Sequence, residues 1–289
     1  MSTGHEACFP DRAVWITTTI ERNEKIARDT YRLRFNCPGI ARRILPGQFI
    51  MLRLAGCNDP LLGRPLALYD VVNDNDGRPW GIDVVYLVMG KLTRRLAVSR
   101  TGQALQVWGP LGNGFTPRST KHLVMVAGGI GQTPFLALAA EHLGRNAFGD
   151  PPRRSAKANR VTLCYGARRE DLFAGVDDFR ELGVDVRLST DDGSAGHHGL
   201  VTDILAEILA NRQEDVYIAS CGPERMLEAV ADAARQFNVP CEVSLETPMA
   251  CGMGICFSCV AKVRDDAGQW DYRRTCVEGP VFDAQSIVF

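Results

Sequence analysis

Leu123-Val-Met-Val-Ala-Gly128-Gly129-Ile-Gly131-Gln-Thr133-Pro134 runs from an apolar stretch through a glycine turn into the apolar segment Pro134 to Leu143. An unbroken apolar run closed by glycine reads as a strand buried on both faces, and the segment after it as a helix. Glycines at such a turn let the backbone approach an anion, Thr133 is placed to cap the helix, and Pro134 suits its first position. Helix amides there favour a pyrophosphate. The turn departs from G-x-G-x-x-G, since Pro134 stands where the third glycine would be, and an ordinary structural turn stays open as its reading.

Outward from this turn toward the carboxyl end the alternation repeats. Strands are predicted at Val161 to Tyr165, Val184 to Leu188 and Val216 to Ala219, with helices at Leu172 to Glu181, Leu200 to Ala210 and Glu224 to Phe237. Alternating strand and helix predicts a doubly wound parallel sheet. A second strand-to-helix turn, Cys221-Gly222-Pro223-Glu224, falls at the carboxyl end of a strand, where open sheets bind ligands. Thr190-Asp191-Asp192-Gly193 ends another strand. No arginine adjoins this acidic tip in sequence, which fits a free ribose hydroxyl better than a 2′-phosphate, and so NADH over NADPH. Gly144 to Asn159 carries Pro151, Pro152 and no periodicity, and reads as an exposed loop; His197 and His198 also read as loop residues.

Toward the amino end the period shortens. Val14 to Ile20, Thr30 to Asn36, Gln48 to Leu54, Leu66 to Val72, Ile82 to Leu87 and Ala104 to Trp108 are short strands between turn signals, the pattern of an antiparallel barrel or sandwich. Gly63-Arg64-Pro65-Leu66-Ala67 sets a cation at a strand start, and Gly90-Lys91-Leu92-Thr93 opens a helix read over Arg94 to Val98. Arg64 and that helix terminus are placed to clamp a diphosphate, although each alone also reads as an ordinary turn.

Four of the ten cysteines crowd into the last 39 residues. Cys251, Cys256 and Cys259 make C-x4-C-x2-C, and Cys276 follows at a distance, the spacing of a plant-type [2Fe–2S] ligand set. Gly252 and Gly254 let amides point at the sulfurs. Structural zinc is the competing reading, but a four-cysteine zinc site pairs two C-x2-C knuckles and only one exists here. Arg273 and Arg274 read as a solvated surface pair. The isolated Cys8, Cys37, Cys57, Cys164, Cys221 and Cys241 read mostly as core filler.

The chain has 289 residues, Lys+Arg 33 against Asp+Glu 34 and 45% apolar residues, enough for two domains with room for a small third. Near-zero net charge removes the usual electrostatic reason to bind nucleic acid or an anionic membrane. The longest apolar stretch, Leu123 to Ala140, is broken well short of the roughly 18 residues a span needs. Met1 to Arg12 is polar and shows no signal peptide, so a cytoplasmic protein is expected.

From about Trp15 to Phe289 the chain resembles the electron transfer subunit of class 1B dihydroorotate dehydrogenase, within the ferredoxin reductase superfamily. The resemblance rests on an ordered set: Pro46-Gly47-Gln48-Phe49, Arg64-Pro65-Leu66-Ala67, Gly109-Pro110-Leu111-Gly112-Asn113-Gly114-Phe115, the Gly128 to Pro134 turn, Cys221-Gly222-Pro223 and the cysteine loop. It implies a multi-domain β plus α/β protein with an antiparallel FAD-binding β-barrel over 12–115, a doubly wound parallel NAD-binding domain over 116–242 and a small [2Fe–2S] domain over 243–289. By the resemblance Arg64 contacts the FAD diphosphate, Pro65, Leu66 and Ala67 lie along the isoalloxazine, and Gly90, Lys91, Leu92 and Thr93 close over the diphosphate. Gly128, Gly129, Gly131, Thr133, Asp192, Gly222 and Pro223 become candidate nucleotide-binding residues, and Cys221, facing the nicotinamide, the candidate catalytic residue. Ala67 stands where the family has serine or threonine, and Leu92 where a second glycine is common.

A nicotinamide moves two electrons as hydride and a [2Fe–2S] cluster moves one, so a flavin must stand between them. The motifs account for cofactors only, and no dihydroorotate site is found. The resemblance therefore implies an FMN-containing dihydroorotate dehydrogenase catalytic subunit as partner in a hetero-oligomer, a heterotetramer, serving pyrimidine (UMP) biosynthesis. Electrons would run from dihydroorotate through FMN, the cluster and FAD to NAD⁺. A diaphorase subunit of a hydrogenase or sulfide-linked reductase would share every motif. A zinc-holding, non-redox binding module is the alternative from another class.

Overall fold

A computed structural model describes residues 12–153 and 157–289. Cys8, most of the polar amino terminus and residues 154–156 of the predicted 144–159 loop lie outside the described residues.

Strands β1 (Val14–Ala27), β2 (Thr30–Asn36), β3 (Phe49–Leu54), β4 (Arg64–Asn73), β5 (Pro79–Leu87) and β6 (Ala104–Leu111) close into a barrel in the order β1-β2-β5-β4-β3-β6. The choice between barrel and sandwich is thus settled by closure. Leu33, Phe35, Ile50, Leu52, Ile82 and Val84 fill the interior. A short helix α1 (Pro38–Ala41) follows β2, and α2 (Lys91–Ala97) packs Leu92 and Leu96 into the same core. Helix α2 starts three residues before the predicted Arg94. The Thr93 hydroxyl accepts the Met89 and Gly90 amides at 3.0 Å each, closing a capping box that draws Lys91 into the first turn.

One irregularity of the barrel shapes the site. β4 pairs with β3 from Arg64 to Ala67, but its pairing with β5 begins only at Leu68 opposite Val84. Over Arg64 to Ala67 the β5 side of β4 is left without a ladder.

Beyond the barrel, β7 (His122–Gly128), β8 (Arg160–Ala167), β9 (Asp185–Thr190), β10 (His197–His198), β11 (Val216–Cys221) and β12 (Cys241–Ser244) form a parallel sheet ordered β10-β9-β8-β7-β11-β12. Helices α3 (Phe135–His142) and α4 (Val176–Leu182) cover one face, α5 (Val201–Ala210) and α6 (Glu224–Gln236) the other. The chain steps outward from β7 to β10 and then returns to β11, so the topological switch lies between β7 and β11. Helix α3 is buried along its whole length because it lies between the sheet and β4 of the barrel.

The 144–159 segment is not a simple exposed loop. Phe148 enters the barrel core, and Arg153 binds Glu141 of α3 through two 2.6 Å contacts while donating to the Phe115 carbonyl at 2.7 Å. A charged pair this well buried is stabilising only when both partners are present.

After β12 come the cysteine loop, a hairpin of β13 (Val260–Arg264) and β14 (Trp270–Arg274), and β15 (Val281–Asp283). β15 pairs antiparallel with β12, and Ala284 and Ile287 join the core beneath α5 and α6. The carboxyl-terminal segment is therefore built into the nucleotide sheet. Strands of three and four residues carry too little alternation to be read in advance.

Candidate functional site

One cavity of about 820 Å³ is lined by all three parts of the chain. The barrel contributes Arg64, Pro65, Leu66 and Ala67; Gly90, Leu92 and Thr93 come from the start of α2. Thr133 and Cys221 enter from the carboxyl ends of β7 and β11, at the switch point, and Ser258 enters from the cysteine loop. A volume of this size falls within the roughly 300–1,000 Å³ of ligand clefts.

In the barrel wall the unpaired side of Arg64 to Ala67 is the cavity side, so backbone donors and acceptors face it without a ladder partner. This fits the hydrogen-bonding edge of a flavin ring. The Arg64 guanidinium donates only to the Leu62 and Gly63 carbonyls, at 3.2 and 2.9 Å, and has no carboxylate partner among the described residues. A half-buried, charge-uncompensated guanidinium suits a diphosphate. Lys91 differs. It points away from the cavity lining to Asp59, 2.5 Å away, and its hydrogen bond holds that carboxyl below the usual range.

In the nucleotide domain the glycines have a role the motif does not announce. A Cβ on Gly131 would lie 2.2 Å from the Cys221 carbonyl oxygen. One on Gly128 would meet Pro223 at 2.7 Å, and one on Gly222 would lie 2.9 Å from the Gly128 nitrogen. These three glycines let the two strand-to-helix turns lie side by side. Gly129, at φ +56° with nothing within 4 Å of its Cβ direction, is the one open position. Thr133 does not cap the helix as expected: a 3-10 turn spans Gly129–Gln132, Pro134 occupies the N-cap without a side-chain bond, and α3 starts at Phe135.

Cys221 reaches the cavity, but burial pushes its thiol up, so it stays protonated and serves as a neutral contact. Glu246, which the motifs missed, stands in the same cavity. Water reaches its side chain through the cavity mouth, while crowding by protein raises its carboxyl above the ordinary range. Its signal in the sequence is its place just past the end of a sheet strand, hidden because β12 is so short.

Asp191 and Asp192 form an exposed turn outside the cavity lining. The expectation that no arginine adjoins them fails in three dimensions. Arg169, in the loop after β8, places Nε 3.9 Å from Asp192 and 3.6 Å from Asp171. Its charge is divided between two carboxylates.

The cysteine loop presses on the barrel. Gly252 and Gly254 take φ of +73° and +79° and Phe257 +54°, left-handed positions that bend the loop back on itself. The Met253 amide lies 3.3 Å from the Cys251 sulfur, and the Cys259 and Cys276 sulfurs are 3.1 Å apart. Among the described residues no group of three or more His, Cys, Asp or Glu side chains is arranged to hold a single metal ion. Cys256 is exposed, its thiol drawn down to about 6, chiefly by hydrogen bonding with Ser258. Cys276 is buried, and that burial pushes its thiol up to about 12. Four thiols on an amide-lined loop fit a [2Fe–2S] cluster. Arg274 is not the solvated residue expected: it donates to the Gly254 carbonyl at 3.1 Å and lies over Phe257, while Arg273 pairs with Glu278 at the surface.

Three domain families match the sequence. They are an oxidoreductase FAD-binding domain over residues 17–115, an oxidoreductase NAD-binding domain over 125–232, and the iron-sulfur cluster binding domain of dihydroorotate dehydrogenase B over 246–288. The chain is 34% identical over 267 residues to a dihydroorotate dehydrogenase B (NAD(+)) electron transfer subunit of Caldanaerobacter subterraneus, covering 92% of this chain and 96% of that one. It is 35% identical to the like-named subunit of Shouchella clausii, covering 93% and 96%. Among solved structures, an NADH-dependent reduced ferredoxin-NADP oxidoreductase superposes with a TM-score of 0.77 at 29% identity, covering 94% of this chain and 89% of that one. Phthalate dioxygenase reductase, at TM-score 0.59 and 18% identity over 91% and 94%, shares the fold.

Proposed function

The chain belongs to the family of dihydroorotate dehydrogenase B electron transfer subunits, and from that premise we propose that it passes electrons between NAD(H) and an FMN-containing catalytic subunit that oxidises dihydroorotate in pyrimidine biosynthesis. The observation that carries the reading is the single cavity shared by Arg64 to Ala67, the β11 end and the cysteine loop. When bound, FAD exchanges hydride with the nicotinamide and single electrons with the cluster, chemistry that no side chain supplies.

The chain's own residues bind, orient and exclude. Arg64 neutralises the diphosphate, and the open side of β4 orients the ring through backbone groups. The turns at Gly128 to Thr133 and Cys221 to Pro223 receive the nucleotide at the switch point. The Cys221 thiol marks the nicotinamide position by contact, and Glu246 beside it holds or releases a proton at its carboxyl. Cys251, Cys256, Cys259 and Cys276 hold the cluster. The segments 12–115, 116–242 and 243–289 thereby divide flavin, nucleotide and cluster binding.

Ile255 and Phe257 are 74% and 63% exposed next to Cys256, an apolar rim around the exposed member of the cysteine set. That rim supports docking of the catalytic subunit there. No helix among the described residues is long and apolar enough to cross a membrane.

Purification of the chain from its native host is expected to bring down a dihydroorotate-oxidising FMN protein in equal amount. The chain alone is expected to reduce an artificial acceptor with NADH and to form no orotate. Orotate formation by the chain alone would overturn the division of labour. The 29% identical structure favours a second reading, a diaphorase subunit of another complex, and a copurifying hydrogenase or other reductase would select it.

A further inference from the structure

Trp108 lies in β6 on the side of the barrel that meets the cysteine loop, only 6% exposed. Its indole Nε1–H donates to the backbone carbonyl of Cys251 at 2.9 Å. The far corner of the same ring lies against Gly63, where a Cβ would come within 2.7 Å of Cη2. Gly63 immediately precedes the Arg64 to Ala67 edge, and Cys251 is the first residue of the cysteine set. One rigid ring therefore touches the strand that faces the flavin site and the loop that holds the cluster.

The surroundings fix the ring itself. Trp15 stacks on Trp108 with centroids 4.5 Å apart and planes 10° from parallel. Arg53 lies over Trp15 at 5.6 Å and is held by Gln106 at 2.6 Å. Phe49, Met51, Leu111, Cys259 and Cys276 complete a small core with Trp108. Beside it the loop is pressed so closely on β3 that a Cβ on Gly252 would lie 2.6 Å from Met51. An indole stacked on one face by Trp15 and packed into this small core loses little freedom when its N–H is engaged, so the hydrogen bond acts as a fixed spacer.

We infer that Trp108 is a positioning residue for electron transfer, setting the seat of the Cys251 end of the cluster loop against the flavin-facing strand. The inference rests on the FAD and cluster placement proposed above. Flavin, iron and sulfide content of the unaltered chain test that placement separately.

Trp108→Phe in the full chain, purified with its cofactors, keeps an aromatic ring and removes the donor. A neutral hydrogen bond of about 1 kcal/mol corresponds to about fivefold in an equilibrium, so iron should be stripped by a chelator faster, by up to about fivefold. The paramagnetic spectrum of the reduced cluster should shift, and reduction of the cluster after mixing with NADH should slow, with starting flavin and iron equal to the parent's. Trp15→Phe, which keeps a stacked ring and leaves the donor in place, is expected to match the parent in all three measurements. Parent-like chelation, spectrum and transfer rate in Trp108→Phe would overturn the inference, as would equal losses in both variants. If Trp108→Phe loads no cluster, replacing Trp108 with 3-benzothienylalanine, which keeps the bicyclic shape and lacks the N–H donor, carries the same test with the same readouts.

Discussion

The cysteine loop and the nucleotide turn are both rich in glycine, yet their glycines answer to different constraints. In the loop, Gly252 and Gly254 sit at φ of +73° and +79°, where a side chain strains the backbone, and the residue between them points its amide at the Cys251 sulfur. In the turn, Gly131 has an ordinary φ and is glycine because a Cβ would strike the Cys221 carbonyl at 2.2 Å. One set shapes the backbone around a ligand. The other brings two protein turns into contact, and the ligand site follows from that contact. Chemistry supplied by side chains should accordingly fail at single residues, and chemistry supplied by backbone should fail through packing.

The largest expected effect is on the side-chain half of this contrast. Cys276→Ser removes a buried thiol in contact with Cys259, and complete loss of the [2Fe–2S] signal is expected, read as iron, sulfide and the reduced-state paramagnetic spectrum. A full complement of cluster in Cys276→Ser would mean that another group is the fourth ligand.

Legibility in the sequence divides along the same line. The iron-sulfur domain is legible from cysteine spacing because iron demands particular side chains, and the alternation around β7 to β11 is legible because buried parallel strands are apolar throughout. The backbone edge at Arg64 to Ala67 was not readable, since it depends on where β5 joins β4, a register no local pattern encodes. Glu246 was missed with the four-residue strand that places it, and Arg169 because the loop after β8 brings it to Asp192 from 23 positions away in the chain. Thr133 was read as a cap because the 3-10 turn before α3 has no signature of its own.

The backbone half of the contrast is next in size. Gly131→Ala forces a methyl onto a carbonyl that cannot move without its strand, and a loss of about 3 kcal/mol is expected by thermal or denaturant unfolding. Gly129→Ala meets open space and bears only the cost of a positive φ, about 1 kcal/mol. Equal losses in the two variants would erase the distinction between packing glycines and open ones.

Arg64→Ala tests the only cationic side chain among the described residues that lines the cavity. A guanidinium on a diphosphate contributes roughly 1.5 to 3 kcal/mol, so FAD should dissociate at least about tenfold more readily on dilution, and up to about a hundredfold. Unchanged flavin affinity would move the assignment elsewhere on the cavity wall. Smaller still is the effect at the acidic turn, where Asp192 shares Arg169 with Asp171. The parent should prefer NADH. Asp192→Ala releases an exposed cation, and an exposed ion pair is worth at most about 1 kcal/mol, so NADPH use should rise by no more than about fivefold in steady-state assays.

The smallest expected effect is the sharpest test of the backbone reading. Ala67 faces the cavity at the last position before β5 joins β4, so the groups available to the flavin ring there are the free amide and carbonyl groups of the open edge. If those groups hold the ring, a hydroxyl is redundant. Ala67→Ser should then change FAD affinity by no more than about twofold, short of the roughly fivefold that one new neutral hydrogen bond of about 1 kcal/mol would add. The serine Cβ occupies the place of the alanine methyl, so steric change is limited to one oxygen in an open cavity. A gain of fivefold or more, measured by flavin fluorescence on titration of the apoprotein, would show that the edge leaves the ring under-bonded. The ring would then depend on side chains as the cluster does, and the contrast between the two regions would fail at this position.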